Sequence, residues 1–293
     1  MFTLVVMAAG IGRRFGGDKQ LVEVGPNGET FLDYAINGAV RAGASKVVLV
    51  VRSGIEAVLR AHVDSRHRSL QSAGIEFAYV RQDEHGPPRA KPWGTAHAVT
   101  VATGEVSGPF VVCNADDYYG PGALRTLAAA AAELGDGEAC LCGYGLARTL
   151  SATGTVSRGV CRVSGDRLVG IVEHHGVARR ADGTIAAAEP AAELSDETIV
   201  STNLWAFPGA ALDWIGASFE RFLADHRDDA HTECLLPTVV AARMSERALT
   251  VRVVSTAEPW IGVTNPDDLA PARAALAEQP HTDPRGMRPG GGG

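Results

Sequence analysis

The chain has 293 residues, of which 45% are hydrophobic and 21% are charged, and its formal net charge is −7. An acidic protein of this kind lacks the basic face with which general nucleic-acid binders hold phosphates, so we expect no nucleic-acid partner. No apolar run approaches the roughly 20 residues that cross a bilayer, and the first apolar run lacks the basic flank of a signal peptide. We therefore expect a cytoplasmic globular protein with no membrane partner.

The chain opens with an apolar stretch at 4–7, which predicts a buried strand, and a glycine-rich loop follows it. Gly10 and Gly12 allow backbone N–H groups to approach phosphate oxygens closely. Arg14 and Lys19 add the positive charge that a triphosphate needs when a bond to its α-phosphorus is broken. The stretch predicts a phosphate-binding loop, although a tight turn between a strand and a helix would show the same two glycines.

The segments after this loop alternate between helical and strand-like patterns. Apolar residues at helical spacing predict helices, and short β-branched runs are typical of parallel strands that are covered on both faces. An alternation of strands and helices implies a parallel sheet with right-handed crossovers. The predicted strands of this part are 46–51, 75–80 and 109–113, and the predicted helices are 31–42, 54–63 and 93–102.

Polar residues follow two of these strands. Gln82 comes after the strand at 75–80, and Asp116 and Asp117 come after the strand at 109–113. Ligands of open α/β sheets bind beyond the carboxyl ends of the strands, where the glycine-rich loop also lies. We therefore expect a binding site at this edge of the sheet, with simple turn residues as the structural alternative for the two aspartates.

The second half of the chain mixes further helices with hairpin-like strands. A Ser-Gly-Asp turn at 164–166 joins two short strands. The polar, alanine-rich stretch at 178–196 is weakly periodic, so we expect a flexible excursion there. We predict strands over 139–146, 159–163, 167–173, 198–207 and 249–254, and helices over 124–134, 212–225, 235–244 and 266–278.

No linker divides the sequence, which predicts a single domain over 1–278 and, because of its proline and glycine content, a disordered tail over 279–293. An odd number of cysteines in mostly apolar, strand-like surroundings indicates buried free thiols in a reducing compartment. Cys140 and Cys142 would share one face of a strand, but a zinc site needs a second pair of ligands at suitable spacing. The five cysteines are Cys113, Cys140, Cys142, Cys161 and Cys234.

The motifs, taken in order, resemble those of the sugar-1-phosphate nucleotidylyltransferases, which are also called pyrophosphorylases. A lone glycine loop would be weak support, whereas an ordered series from residue 7 to residue 269 is specific. The matching motifs are Ala-Ala-Gly-Ile-Gly-Arg-Arg at 8–14, Lys-Gln-Leu at 19–21, Gly-Thr-Ala-His-Ala at 94–98, Asp116, Gly-Ile-Val-Glu-His at 170–174, Thr202 with Asn203, and Gly-Val-Thr-Asn-Pro-Asp-Asp-Leu at 262–269.

This resemblance implies an α/β fold with a doubly wound, mostly parallel mixed sheet of the Rossmann-like, glycosyltransferase-A-like kind, and a small β-rich elaboration for the acceptor. Residues 1–125 would form mainly the nucleotide-binding part of the domain, and 139–265 mainly the sugar-phosphate-binding part. It also implies the reaction of NDP-sugar biosynthesis. The family transfers a nucleotidyl group from an NTP to a sugar 1-phosphate and releases pyrophosphate by direct in-line attack.

The resemblance assigns the donor side of the site. Arg14, and not Arg13, matches the arginine that binds the leaving β- and γ-phosphates. Lys19 matches the lysine that binds the α-phosphate. Gln82 would read the base, because its amide donates and accepts hydrogen bonds at once. UTP or dTTP is favoured, and GTP and CTP stay open. The nucleotide-binding set is Ala8, Ala9, Gly10, Gly12, Arg14, Lys19, Gln82, Gly94 and Thr95.

The resemblance also assigns the acceptor and metal sites. Glu173 and Asn203 match residues that hydrogen-bond sugar hydroxyls, and Gly159 matches a glycine whose backbone meets the sugar. Asp116 matches the aspartate that binds Mg²⁺, a hard cation that takes one or two carboxylates plus phosphate oxygens. The predicted catalytic residues are Arg14, Lys19 and Asp116, and the predicted metal ligands are Asp116 and Asp117.

The chain departs from the family pattern at two positions. Many members place a lysine for the acceptor phosphate directly after the glutamate, where this chain has His174 and then His175. Many also have an acidic residue or asparagine at the position of Gly262. The second metal ligand is then Asp117, Asp267 or the phosphates and water alone. We rank Asp117 above Asp267, because the first turn of a helix favours an acidic residue for structural reasons.

Two other functions stay open. The same chemistry on a cyclitol or another non-sugar phosphate would leave these motifs unchanged. A non-catalytic sensor of nucleotides or NDP-sugars is the alternative from another class, and the presence of Arg14, Lys19 and Asp116 argues against it. The oligomeric state is also open, with a homo-oligomer among the options.

Overall fold

In the computed structural model, which describes residues 1–10, 19–151, 154–263 and 266–279, most strands form one mixed sheet with helices on both faces. The strands are β1 (Phe2–Met7), β2 (Ala44–Val51), β3 (Glu76–Arg81), β4 (Phe110–Asn114), β5 (Asp117–Tyr118), β6 (Glu138–Gly145), β7 (Val156–Ser164), β8 (Arg167–Arg179), β9 (Ile185–Ala188), β10 (Ala191–Leu194), β11 (Ile199–Phe207), β12 (Thr250–Ser255) and β13 (Ile261–Gly262). The helices are α1 (Phe31–Arg41), α2 (Ser53–Arg66), α3 (Arg68–Ser72), α4 (Thr95–Val101), α5 (Pro121–Ala131), α6 (Ala211–His226), α7 (Leu236–Ser245) and α8 (Leu269–Ala277).

The first half of the chain builds the parallel part of the sheet. β3, β2, β1 and β4 lie side by side in that order, and each pair of neighbours is parallel. Successive strand residues face opposite sides of a sheet. Leu4 and Val6 accordingly pack in one buried cluster with α1, α2 and α5, whereas Val5 packs in another with α4, α6 and α7. The doubly wound α/β class that the sequence predicts is confirmed.

The second half of the chain extends this sheet mainly with antiparallel strands. From β4 the sheet continues through β11, β6, β12, β8, β9 and β10, and β6 and β12 are the parallel neighbours of this part. β7 and β8 form a long hairpin across the predicted turn, where Gly165 has a φ of 62°. The sheet is therefore less parallel than the resemblance implies, because hairpins join neighbouring strands antiparallel.

The flexible excursion predicted over 178–196 is wrong. β8 extends to Arg179, and β9 and β10 add a second hairpin beside its end. Ile185 and Ala187 are buried in the same cluster as Leu4. Alanine is depleted in strands and carries little apolar surface, so the composition of this stretch suggested a loop although its small side chains pack against the sheet.

The carboxyl ends of β1 and β4 place the parts of the site side by side. Met7 of β1 and Asn114 of β4 are register partners, so the segments that follow the two strands begin next to each other. β5 and β13 then pair antiparallel, with Asp117 opposite Gly262. The described start of the glycine-rich loop, the two aspartates and Gly262 of the C-terminal motif therefore lie at one edge of the sheet.

All five cysteines are free and buried, as predicted, and burial raises the pKa of each thiol. Across the described ranges, no helix has the length and apolar character that a membrane span requires. The tail predicted over 279–293 lies outside the described residues from 280 onward. The division into one domain and a tail stays a prediction.

Candidate active site

A cavity of about 170 Å³ lies beyond the carboxyl end of β4 and beside residues 201–203 of β11. It brings together Gly159, Glu173 and Asn203, the three residues predicted for the acceptor, with both predicted metal ligands. These residues come from strands β7, β8 and β11 and from the segment after β4. The described lining residues are Asn114, Asp116, Asp117, Ser157, Arg158, Gly159, Glu173, Ser201, Thr202, Asn203, Pro237, Trp260 and Val263. We call this space the acceptor cavity.

Asp117 is held in place by its neighbours. Its Oδ2 accepts hydrogen bonds from Asn114 Nδ2 at 2.8 Å and from the Tyr119 hydroxyl at 3.2 Å, and the residue is only 8% exposed. Asp116 lines the same cavity. Asp267 instead lies exposed in a short 3-10 helix at 266–268 and does not line the cavity. The geometry therefore favours Asp117 over Asp267 as the partner of Asp116.

The donor atoms of this cluster suit a hard cation. No group of three His, Cys, Asp or Glu side chains that could hold a metal occurs in the described residues. Asp116 and Asp117 supply two carboxylates, and magnesium characteristically takes one or two carboxylates and completes its shell with phosphate oxygens and water. The residues present therefore fit Mg²⁺ better than a metal that needs a complete protein cage.

Trp260 explains why this chain has Gly262 where many members of the resembled family have an acidic residue or asparagine. A Cβ built on Gly262 would collide with the ring of Trp260 and would lie 3.0 Å from Asp117 Oδ1. The Trp260 ring thus occupies the space in which a side chain at position 262 would start. An acidic residue there would require the tryptophan to move.

Glu173 and Asn203 show features that are typical of binding residues. Burial raises the pKa of Glu173, while His175 and Arg158 lower it. Asn203 has a φ of 61° within β11, the left-handed region that asparagine tolerates better than most residues. Such strain persists where the surrounding structure holds a side chain for a task. Two buried atoms of the lining, Thr202 Oγ1 and Trp260 Nε1, have no hydrogen-bond partner in the described structure, so a polar ligand could satisfy them.

Arg158 also lines the acceptor cavity, although no sequence motif predicted it as a site residue. It precedes Gly159 directly, and its guanidinium stacks over the ring of Trp260, with Cζ 4.5 Å from the ring centroid. Its position next to a predicted sugar-contacting glycine was the available signal. The stacking partner lies about a hundred residues further along the chain, so the sequence contains no local pattern that would reveal it.

The two histidines after Glu173 do not line the acceptor cavity. His174 is buried, and its Nδ1 lies 2.9 Å from the carbonyl oxygen of Pro190. His175 Nδ1 lies 2.9 Å from Ser157 Oγ. His174 faces away from the cavity because adjacent strand residues point to opposite faces. The position at which many members of the resembled family have a lysine therefore supplies no cation to this cavity.

A second cavity, of about 140 Å³, contains two of the predicted nucleotide-binding residues, Ala9 and Gln82. Ala9 follows β1, and Gln82 follows β3, so the cavity lies at the same sheet edge as the acceptor cavity. Its described lining residues are Ala9, Arg52, Gln82, Asp83, His85, Pro87, Arg89, Ala90, Lys91, Pro92, Trp93 and His97. We call this space the nucleotide cavity.

Gln82 is buried and tightly oriented in the nucleotide cavity. Its Nε2 lies 3.0 Å from the carbonyl oxygen of Gly94 and 3.2 Å from His97 Nδ1. The expectation that Gln82 donates and accepts at once therefore changes, because the protein itself takes both amide hydrogens. Its carbonyl oxygen, an acceptor, is the group that remains for a base.

Gly94 and Thr95 support this cavity and do not line it. Gly94 has a φ of 104°, and a Cβ there would lie 2.5 Å from the carbonyl oxygen of Cys234, so the close approach requires glycine. Thr95 Oγ1 accepts a hydrogen bond from Leu236 N at 2.8 Å, at the start of α7. Gly94 thus helps to position Gln82, and Thr95 helps to position the start of α7.

Only part of the predicted phosphate-binding loop lies in the described structure. Ala8 is buried, and its N–H donates to Val50 O at 2.8 Å. Gly12, Arg14 and the side chain of Lys19 lie outside the described residues. Gln20 was not among the predicted site residues, and its Nε2 donates a hydrogen bond to the carbonyl oxygen of Gly10 at 2.7 Å. This bond ties together the two ends of the loop.

Residues 4–148 match the MobA-like NTP transferase domain. This part of the chain is similar to the NTP transferase family. The match spans β1, the glycine-rich loop, Gln82 and both aspartates, and it confirms the prediction that the protein is a nucleotidyltransferase. A comparison with curated proteins found no match.

Solved structures of nucleotidyltransferases share the fold over nearly the whole chain. One is a Bacillus anthracis protein described as a glucose-1-phosphate thymidylyltransferase, in complex with a sucrose, with 13% identity, a TM-score of 0.66 and coverage of 97% of this chain and 98% of that chain. Another is the inositol-1-phosphate CTP transferase from T. maritima, with 17% identity, a TM-score of 0.62 and coverage of 95% and 97%. At these identities the likeness shows the nucleotidyltransferase fold.

Proposed function

We propose that this nucleotidyltransferase transfers NMP from an NTP to a sugar 1-phosphate, which yields an NDP-sugar and pyrophosphate. One observation carries the proposal: Gly159, Glu173 and Asn203, predicted for the acceptor, line one cavity with Asp116. Gly159 and Glu173 are partners in the β7–β8 hairpin, whereas Asn203 and Asp116 come from two other segments, so three separate parts of the chain supply polar groups to this cavity. Thr202 Oγ1 and Trp260 Nε1 add unsatisfied polar atoms that suit a hydroxyl-rich ligand.

The reaction is a direct displacement at phosphorus. An oxygen of the acceptor phosphate forms a bond to the α-phosphorus of the NTP, the bond from that phosphorus to the bridging oxygen breaks, and pyrophosphate leaves with the electron pair. The attacking oxygen is already anionic at neutral pH, so no general base is required. Alignment and charge neutralisation are then the catalytic effects, and Arg14 and Lys19 provide the protein's positive charge.

Mg²⁺ is the proposed cofactor, held by Asp116 and Asp117. When bound, it neutralises phosphate charge. The protein's own contribution is to orient the carboxylates, and the bonds from Asn114 and Tyr119 to Asp117 do this. Glu173 and Asn203 bind acceptor hydroxyls, and the backbone of Gly159 meets the sugar.

The donor occupies the nucleotide cavity and the loop of Ala8, Ala9, Gly10 and Gly12. Gln82 reads the base, supported by Gly94 and Thr95. An acceptor oxygen on Gln82 suits the N3–H of uracil or thymine, which favours UTP or dTTP. GTP and CTP also present donors at their base edges and remain substrates to test.

A cyclitol 1-phosphate is the second candidate acceptor. The fold is shared with an inositol-1-phosphate CTP transferase over 95% of this chain. Carboxylate, amide and hydroxyl groups recognise ring hydroxyls in both kinds of acceptor, so the lining suits either.

A substrate matrix tests the proposal. UTP, dTTP, GTP, CTP and ATP are combined with a panel of sugar and cyclitol 1-phosphates, and pyrophosphate release is measured with Mg²⁺ and with excess chelator. We expect release in at least one pair, and loss of that release with chelator or in Asp116→Asn and Lys19→Ala. Asp267→Asn is the matched control and should retain activity. No release from any pair would overturn the proposed reaction, and unchanged release with chelator would overturn the role of Mg²⁺.

A further inference from the structure

The acceptor cavity has an unusual charge distribution. Three carboxylates line it, from Asp116, Asp117 and Glu173, and among the described lining residues Arg158 is the one with a permanent positive charge. A phosphate ester carries about −1.5 to −2 charges near pH 7. Such a group enters a carboxylate-lined cavity readily only beside a cation. Arg158 is therefore the residue in the described lining that can compensate the charge of the acceptor.

The hydrogen bonds of Arg158 leave part of its guanidinium for a ligand. Nε donates to Thr149 Oγ1 at 3.0 Å, Nη1 donates to the carbonyl oxygen of Ser157 at 2.7 Å, and Nη2 donates to the carbonyl oxygen of Thr149. A guanidinium has five N–H groups. Three are used within the described structure, so one N–H remains on each Nη atom. A pair of this kind matches the bidentate arrangement in which arginine binds phosphate.

Trp260 fixes the plane of this guanidinium. The Arg158 Cζ lies 4.5 Å from the centroid of the ring, and the ring itself lies where a side chain at Gly262 would start. Burial lowers the pKa of Arg158, while Asp117 and Glu173 raise it. Arginine has so high an intrinsic pKa that it stays charged at neutral pH. The cavity thus contains an oriented cation. Gly262, which has no side chain, leaves room for the Trp260 ring that supports this cation.

We infer that Arg158 binds the phosphate of the acceptor and makes the cavity selective for phosphomonoesters. The inference rests on the proposed function for the identity of the acceptor. In this chain the residue after Glu173 does not supply the cation, because His174 contacts Pro190 and lies outside the lining. Arg158 instead approaches from the neighbouring strand β7, whose Gly159 pairs with Glu173.

Steady-state kinetics on the intact chain tests this role. Arg158→Gln should raise KM for the acceptor by about tenfold or more, because a charged bidentate contact is lost. It should change KM for the NTP by less than about twofold. The acceptor KM of Arg158→Lys should lie between those of the wild type and Arg158→Gln, since lysine keeps the charge but lacks the two parallel N–H donors of arginine. Arg162→Gln is the matched control, an exposed arginine on the same strand. Equal effects on both KM values, or an Arg158→Gln variant that behaves like the control, would overturn the inference.

A measurement on the wild-type protein covers the case in which the variants do not fold. Phenylglyoxal modifies arginine side chains, and peptide mass mapping reports each site separately. We expect inorganic phosphate to slow the modification of Arg158 and not that of Arg162. Protection of Arg158 without turnover on any acceptor would overturn the proposed reaction and support phosphate binding at this residue. Equal modification rates with and without phosphate would overturn the inference itself.

Discussion

Nε2 of Gln82 lies 3.2 Å from Nδ1 of His97, and this contact indicates which nitrogen of the neutral histidine ring carries the proton. The same nitrogen lies 3.0 Å from the carbonyl oxygen of Gly94, which can only accept, so the amide group must donate in both directions. Nδ1 of His97 is therefore an acceptor, and its proton is on Nε2. Burial lowers the pKa of His97 to about 4, which keeps the ring neutral near pH 7. His97 thus orients Gln82, the residue that we propose reads the base.

The acceptor role of Nδ1 predicts different results for two substitutions. His97→Leu removes the acceptor, so Gln82 loses its fixed orientation, and KM for the preferred NTP should rise by about tenfold. His97→Asn places an amide oxygen near the position of Nδ1 and should keep most of the NTP affinity. Steady-state kinetics with saturating acceptor measures both. Equal KM values for the two variants would contradict the orienting role.

The pKa of His97 also predicts an acid-dependent loss of stability. In the unfolded chain His97 titrates near 6.5, and in the folded protein it titrates near 4. Between these values the unfolded state binds more protons, so the free energy of unfolding should fall as the pH decreases from about 6.5 to about 4. The loss is about 3 kcal/mol at most for this shift. Denaturant unfolding at several pH values measures it, and His97→Asn should lack this component of the pH dependence.

Gly262→Ala should weaken acceptor binding. A Cβ at this position collides with Trp260, and the displaced ring no longer supports the Arg158 guanidinium. We expect a rise in acceptor KM of about threefold or more, since cation–π contacts contribute about 0.5–2 kcal/mol. Gly104→Ala is the control, because a Cβ there meets nothing within 4 Å. An acceptor KM equal to that of the control would show that the ring tolerates the methyl group.

Glu258 should stabilise the helix that follows the two aspartates. Its Oε1 accepts a hydrogen bond from Gly122 N at 3.1 Å, at the first turn of α5, where backbone N–H groups lack intrahelical partners. Glu258→Ala should lower the free energy of unfolding by about 1 kcal/mol. Glu246→Ala, which removes an exposed carboxylate paired with Arg243 at 3.2 Å, should change it by less than about 0.5 kcal/mol. Equal losses from the two variants in denaturant titrations would contradict the capping role.

Local patterns predicted much of the fold. β-Branched runs and helical periodicity identified the parallel strands and their crossover helices, because both signals repeat within a few residues. The hairpin of β9 and β10 escaped prediction, since alanine carries too little apolar surface to reveal a buried strand such as the one containing Ala187. Asp116 and Gln82 were predicted as site residues because each follows a strand, and strand ends meet at one edge of a parallel sheet.

The sequence by itself determined which chemical groups follow the parallel strands: a glycine-rich loop with basic residues, and two aspartates after a buried strand. It also determined the family resemblance, which the NTP transferase match supports. Only the tertiary structure decided which groups meet. In the folded chain His97 contacts Gln82, Arg158 stacks over Trp260, and Thr95 accepts a hydrogen bond from the start of α7. The physical reason is that these contacts join residues from separate elements, whose approach depends on how the sheet and helices pack and on no pattern within either segment.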